Sequence, residues 1–410
     1  MNILIVTQYF RPESFIINDV ADRLRLLGHD VTVATGKPNY PTGKIFDGYR
    51  SYGISKETLD NGIAIYRIPI IPRGASRPLN LVLNYASFLL SGLFLLPIAL
   101  TRQKFDAVLF FGVSPLTSAI PAALISRLKK APLAIWVQDL WPETIKAASK
   151  VQNRLVLRLV ELVMKYIYRF SDTVIVQSRA FIDPISSLCN IEKVRYIPNP
   201  APDEPTSCPL SASVSELFND CFSIVFAGNL GKAQSLETIL KAAERLRAYE
   251  HIKFIVIGDG SEANQLSKRL TESGLANVVM TGQLDRKMMP SVYSLASALL
   301  VTLKNDPAFS MVIPSKVQAY MQAGKPIIAA VDGEGARLIS ETGCGHAVAA
   351  EDDRALAETI LTFAAMPANR LSEMGRAGRQ HYQTHFQVET VTEQLIEILE
   401  SRAGINSEQN

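Results

Sequence analysis

The sequence predicts an α/β protein built as two doubly wound domains of similar size, facing each other across a cleft. Three observations carry this expectation. Short apolar runs alternate with helical patterns along the 410 residues. Those runs lack the polar alternation of a half-exposed strand, as expected for parallel sheets covered on both faces by helices. The strip IPNPAPDEP, Ile197–Pro205, then interrupts the pattern, and a second α/β series follows it.

In the first series the strands read Ile3–Thr7, Asp30–Thr35, Ala64–Ile68, Ala107–Phe111, Ala134–Val137, Thr173–Val176 and Val194–Ile197. Helices over Ile17–Leu27 and Leu116–Lys129 lie among them, the former stopped at Gly28, a residue suited to the left-handed turn that ends a helix. In the second series the strands read Ser223–Ala227, Lys253–Ile257, Val278–Met280, Ala298–Val301, Pro326–Ala330 and Ala347–Val348. Helices are expected over Leu236–Ala248, over Asn264–Glu272, and from Pro314-Ser315 to Gly324. The domain bounds that follow are 1–202 and 217–385. A tail, 386–410, contains a helix near Val388–Leu399 placed to pack back across the junction.

A chain 48% hydrophobic and 20% charged can fill two cores and is not largely disordered. A net charge of +3 is too small to imply a nucleic-acid partner, and none is expected. Cys189, Cys208, Cys221 and Cys344 have no metal-ligand spacing and read as reduced cytosolic thiols. His381 and His385 would share a helix face, but no HExxH surrounds them. The opening MNILIVTQYF lacks a basic stretch and a cleavage site, so it reads as a buried strand rather than a signal peptide.

One segment departs from this pattern. No charge occurs between Arg77 and Arg102, and Leu79–Leu100 is long enough to raise the question of a membrane. A single span would put parts of one sheet on opposite sides of the bilayer. Two readings remain. One is a monotopic helix or a re-entrant hairpin bent at Gly92 and Pro97, with Arg73, Arg77, Arg102 and Lys104 meeting anionic headgroups. The other is a fully buried crossover helix. Arg154–Arg169 is amphipathic, with Arg154, Arg158, Glu161 and Lys165 at helical spacing, and suits packing or bilayer contact.

The groups that carry chemistry fall after strand ends, where open parallel sheets collect ligands. After the first strand, Arg11 is placed to reach an anion and Glu13 shares its loop; a solvated loop would explain both. After Val137 come Gln138, Asp139, Trp141 and Glu143: an amide, a carboxylate, a flat indole for a sugar face and a second carboxylate. A purely structural account makes Asp139 a helix cap and Trp141 a core anchor. The second domain opens with Gly228, Asn229, Gly231, Lys232 and Gln234, where glycines admit close backbone approach and Lys232 offers a cation to a diphosphate. Gly258, Asp259 and Gly260 form a tight turn at the next strand end, near where a nucleotide base would lie. Pro314, Ser315 and Lys316 open a helix whose free N–H groups suit phosphate, though capping alone would also explain them. There is no GxGxxG for a dinucleotide cofactor and no DxD for a divalent metal, so neither a cofactor nor a metal is expected.

Together, the segments MNILIVTQYFRPE, WVQDLWPE, FAGNLGKAQSLETILKAAERL, IPSKVQAYMQAGKPIIA and EGARLISETGCGHAV resemble the bacterial GT4-type glycosyltransferases. The likeness covers essentially the whole chain and is strongest to enzymes of O-antigen and colanic-acid-type polysaccharides. It implies a GT-B fold, that is, two Rossmann-like domains, and transfer with retention from a UDP-sugar. N-acetyl-L-fucosamine is the donor sugar suggested. The implied acceptor is a saccharide on undecaprenyl diphosphate at the cytoplasmic face of the inner membrane, with the enzyme peripheral or monotopic there. The leaving diphosphate would take the acceptor proton. Lys232, the amides near Lys316, and Arg11 would stabilise its charge, Asp139 would orient a sugar, and Gln138 would bond a sugar hydroxyl.

The chain departs from the family in three places. Gln234-Ser235 replaces the customary Lys-Gly, and Gln138 replaces a histidine. Met311 and Ala319 stand at the two positions of a Glu-x7-Glu motif, which leaves Glu334 as a nearby carboxylate. Two other functions fit the same architecture: a sugar-nucleotide epimerase and a non-catalytic glycan-binding scaffold.

Overall fold

The structure, a computed structural model, describes residues 1–75, 77–113, 115–141, 153–201 and 207–404. The chain divides into two compact units, Met1–Pro202 with Val388–Asn410, and Asp203–Gln387.

The first unit contains β1 (Asn2–Val6), α1 (Ile16–Leu26), β2 (Asp30–Gly36), β3 (Ser55–Thr58), β4 (Ala64–Ile68) and α2 (Pro78–Ala99). It continues through β5 (Ala107–Gly112), α3 (Ala119–Lys129), β6 (Leu133–Val137), α4 (Arg154–Phe170), β7 (Thr173–Val176) and β8 (Val194–Tyr196). Among the described residues these strands form one sheet in the order β3-β4-β2-β1-β5-β6-β7-β8, parallel except where β3 runs against β4. Every residue of β5 and β6 is buried, which is why their sequences show no alternation. The sequence reading missed β3, whose Ser-Lys-Glu-Thr composition is that of a strand with one neighbour and a wet face.

Helix α1 buries Ile17, Val20, Ala21 and Leu24 at helical spacing, and Gly28 follows with φ +85°. The helix Val388–Ala403 closes the same core, with Val391, Leu395 and Leu399 packing among Ile3, Ile5, Val20 and Leu24. Arg23 pairs with Glu389 at 3.2 Å, and Arg402 Nε donates to Thr173 Oγ1 at 3.1 Å.

The uncharged segment forms one continuous helix, α2, so the expected hairpin bend is corrected. Gly92 instead marks a close helix contact, since a Cβ there would lie 2.6 Å from the Pro121 ring, and Pro97 sits in the last turn. Lys129 Nζ caps the helix end by donating to Leu100 O at 2.6 Å and Thr101 O at 2.9 Å. The fully buried alternative is corrected as well. Phe88 and Leu96 face inward, but Leu79, Val82, Leu90, Phe94 and Ile98 are exposed, the last two by 69% and 68%. By length and composition, Leu79–Ala99 could cross a membrane. Helix α4, capped by Asn153 Oδ1 accepting from Leu155 N, buries Met164 and Tyr168 and exposes Leu155, Leu159, Leu162 and Tyr166. Both helices pack against α3.

The second unit contains β9 (Phe222–Ala227), α5 (Leu236–Arg245), β10 (Ile252–Ile257), α6 (Ala263–Ser273), β11 (Val278–Gly282) and β12 (Ala298–Thr302). After these come α7 (Ser315–Ala323), β13 (Ile327–Ala330), α8 (Gly333–Thr342) and β14 (Gly345–Val348). Its strands form a parallel sheet in the order β11-β10-β9-β12-β13-β14. Ile224, Phe226, Phe254, Val256 and Leu300 fill one side of it, beneath Ile239, Leu240 and Ala243 of α5. Two doubly wound parallel sheets are the architecture of the GT-B fold.

Candidate active site

In the second unit the turns after β9 and β10 pack on each other. Gly228 N donates to Ile257 O and Leu230 N to Asp259 O, each at 2.9 Å. Gly258 has φ +140°, and a Cβ there would lie 1.9 Å from Gly228 O. A Cβ on Gly260 would meet Leu230 O and Asn229 Oδ1 at 2.6 Å, and one on Gly231 would meet Asn229 Nδ2 at 2.8 Å. Gly258 and Gly260 therefore serve first to let backbone approach backbone, while Gly231 leaves room for the Asn229 side chain. Asp259 is exposed and turns its Oδ1 to Gly260 N at 2.7 Å.

Lys316 enters from the first turn of α7 and lies against Gly228, its Cε 2.7 Å from the point a Cβ would occupy. Its ammonium sits 3.7 Å from the centroid of the Phe226 ring and donates to Gln234 Oε1. Burial pushes this lysine down to about 7. Gln234 is held in turn, its N–H donating to Gly231 O at 3.0 Å and its carbonyl accepting from Thr302 Oγ1 at 2.5 Å. Pro314 stands at the N-cap position of α7 in extended conformation, Ser315 is the exposed first residue, and Gly324 ends the helix with φ +67°. The Tyr320 hydroxyl pins this helix to β9 by accepting from Ala227 N at 3.1 Å.

A cavity of about 370 Å³ opens beside the paired turns, lined by Gly228, Asn229, Gly258 and Asp259. Leu284, Arg286 and Tyr293 also line it, and the sequence reading missed all three. Lys232 is elsewhere. It is exposed and lines a separate cavity of about 290 Å³ with Glu262, Arg269, Lys304 and Glu351. The cation lodged against the Gly228 turn is thus Lys316, which corrects the expectation that put Lys232 there.

Glu334 is buried in the first turn of α8, with its two oxygens engaged by Arg337 Nε at 3.0 Å and Nη2 at 2.8 Å. It forms an intrahelical ion pair, which is not the pose of a carboxylate presented to a sugar.

In the first unit two expected binding residues are structural. Arg11 is paired with Asp22 of α1 and is not held toward an anion. Glu13 is buried, and its carboxylate accepts from Asn39 N at 2.8 Å, Tyr40 N at 2.7 Å and Phe10 N at 3.3 Å. Burial raises its pKa while these three bonds draw it down. It ties the loops after β1 and β2 together.

Gln138 follows β6 and is 8% exposed. Its Oε1 accepts from Asn199 Nδ2 at 2.7 Å, and its backbone carbonyl accepts from Gln177 Nε2 at 2.8 Å. Its own Nε2 is buried and meets no acceptor among the described residues. The sequence reading missed Gln177 and Asn199, although Gln177 directly follows a strand end, the signal that singled out Gln138. Asp139 is half-buried and acts electrostatically on Tyr85 of α2. Trp141 is partly exposed, and the core anchor of this strand is Trp136, edge-on to Phe111 at 5.7 Å. Glu143 lies outside the described residues.

Two family models match the chain: "Glycosyl transferase 4-like domain" over residues 15–200 and "Glycosyl transferases group 1" over residues 212–381. Among known proteins, the chain is 26% identical over 339 residues to WcaI of Escherichia coli (strain K12), which carries the name of a colanic acid biosynthesis glycosyl transferase. The match covers 79% of this chain and 82% of that one. It is 26% identical over 312 residues to WbjE of Pseudomonas aeruginosa, named a glycosyltransferase, covering 72% and 76%. Among solved structures, HepE of Anabaena in complex with UDP aligns with a TM-score of 0.69 at 17% identity, over 98% of this chain and 100% of that one. Sucrose-phosphate synthase of Thermosynechococcus elongatus aligns with a TM-score of 0.72 at 16% identity, over 99% and 100%.

Proposed function

Since the chain belongs to the group 1 glycosyltransferases, we propose that it moves a sugar from a UDP-sugar to a saccharide carried on undecaprenyl diphosphate, with retention at the anomeric carbon. The observation that carries this reading is the ammonium of Lys316, buried against the Gly228 turn beside a cavity of about 370 Å³. The base and ribose would occupy that cavity, and the diphosphate would meet Lys316 and the first amides of α7. That HepE binds UDP and UDP-glucose supports UDP as the carrier.

In the proposed step the acceptor oxygen bonds to the anomeric carbon as the bond from that carbon to the diphosphate breaks. The acceptor proton passes to the departing diphosphate, so no strong protein base is needed. Lys316 stabilises the leaving charge, a role we move to it from Lys232. Asp139 orients the reacting sugar, and the buried Nε2 of Gln138 donates to a sugar hydroxyl. The family membership favours neither the epimerase nor the scaffold.

On this reading the enzyme works at the cytoplasmic face of the inner membrane, bound peripherally. The exposed apolar stripes of α2 and α4 support this, with Arg102 and Lys104 after α2 and Arg158 and Lys165 on α4 available to anionic headgroups.

The test offers UDP-, GDP- and dTDP-sugars, with UDP-N-acetyl-L-fucosamine first, together with a polyprenyl-diphosphate-linked GlcNAc acceptor. Acceptor-dependent release of UDP and a product of unchanged anomeric configuration are expected. An inverted product, or interconversion of sugar nucleotides without acceptor, would overturn the reading.

A further inference from the structure

Arg73 lies in the segment that joins β4 to α2. Its guanidinium carbon is 5.2 Å from the ring centroid of Tyr40, 5.8 Å from Tyr9 and 6.0 Å from Tyr85. Nη1 donates to the Tyr9 hydroxyl at 3.0 Å, and the backbone N–H donates to Asn39 Oδ1 at 3.0 Å. Asn39 is in turn fixed through its own N–H to the buried Glu13. The cation is therefore held between three rings by a loop ordered before any ligand arrives.

This arginine also lacks what its neighbours have. Arg11 pairs with Asp22 and Arg67 with Glu57. Among the described residues no carboxylate pairs with Arg73, and its remaining N–H donors reach no protein acceptor. A half-buried guanidinium without a counter-ion favours an anion, and its planar fork suits phosphate oxygens. Stacking against rings orients that fork and lowers the entropy lost on binding. Burial keeps the Tyr9 and Tyr85 hydroxyls protonated, so they add no opposing charge.

The surroundings narrow the anion to one joined to both a lipid and a sugar. Tyr85 lies on α2, whose apolar residues Val82, Leu90 and Phe94 are exposed. Tyr85 also feels the charge of Asp139, placed above at the reacting sugar. We propose that Arg73, caged by Tyr9, Tyr40 and Tyr85, binds the diphosphate of the lipid-linked acceptor. This rests on the acceptor class proposed above and adds the group that grips it.

The test uses the full chain in phospholipid-free detergent with two acceptors: GlcNAc on a polyprenyl diphosphate, and GlcNAc on a neutral alkyl chain of similar length. Wild type should show the lower KM for the diphosphate. Arg73→Gln should raise that KM by about 10-fold or more, leave the KM of the neutral acceptor and of the donor unchanged, and be partly rescued by Arg73→Lys. Equal effects on both acceptors, or none on either, would overturn the assignment while leaving the acceptor class standing. A wild type with no preference for the diphosphate would overturn both. A variant that kept its kinetics but lost binding to vesicles containing phosphatidylglycerol would assign Arg73 to headgroups and sink the proposal.

Discussion

Gln234 and Lys316 meet across 82 positions of sequence, the ammonium of one donating to the side-chain oxygen of the other. The family resemblance in the sequence leads to the expectation of a lysine at position 234. Here an amide stands there and the cation arrives from α7, over the Phe226 ring. Removing it should separate activity from stability. Lys316→Met should lower kcat/KM by about 100-fold and leave Tm no lower than in wild type, since a desolvated ammonium opposes folding.

The same pair supports a rescue. Gln234→Lys placed on Lys316→Met should recover about 10-fold or more of the lost kcat/KM, because it returns a cation to the same turn. A double variant as slow as Lys316→Met would place the function of Lys316 elsewhere.

Acidity gives a signed expectation. Lys316 titrates near 7 in the free protein, and a diphosphate is held by its charged form. Donor KM should therefore rise between pH 6 and pH 8.5 in wild type, and this rise should vanish in Lys316→Arg, whose guanidinium stays charged. Stability moves the other way. The unfolded chain keeps the proton up to its ordinary 10.5, so between about 7 and 10.5 it binds more protons than the fold does. Folding should gain from this group as pH rises through that window, as thermal melts of wild type against Lys316→Met would show.

Gly258→Ala tests the paired turns. A methyl group there would overlap Gly228 O at a left-handed φ, and destabilisation of about 2 kcal/mol or more is expected in urea titration. Gly343→Ala is the comparison, with φ +64° but open space around it, and should cost less.

Leu90→Ser with Phe94→Ser should reduce co-flotation with anionic vesicles by about 10-fold or more. Both residues are exposed, so the urea midpoint should hardly move. Undiminished flotation would remove α2 from the membrane-binding surface.

Much of the fold was legible because β5 and β6 are apolar throughout, and β12 is apolar as far as Thr302. The site was legible only as residue types at strand ends. Arg11 read as an anion ligand because its partner, Asp22, lies on the next helix, and only the fold shows that the two meet. Glu13 looked like a binding group because its backbone partners, Asn39 and Tyr40, come after another strand. Gln138, Gln177 and Asn199 converge only once β6 and β7 are seen to be neighbours. The pairing of Glu334 with Arg337 was different, since three residues along a helix is a spacing the sequence displays.

The helix Val388–Ala403 gives the order of synthesis a physical meaning. Ile3 and Ile5 leave the ribosome long before Val391, Leu395 and Leu399, the residues that cover them, are translated. Until then the nascent amino-terminal half carries an open greasy slot, which makes it a natural client for chaperones. A chain cut at residue 387 would keep that slot permanently.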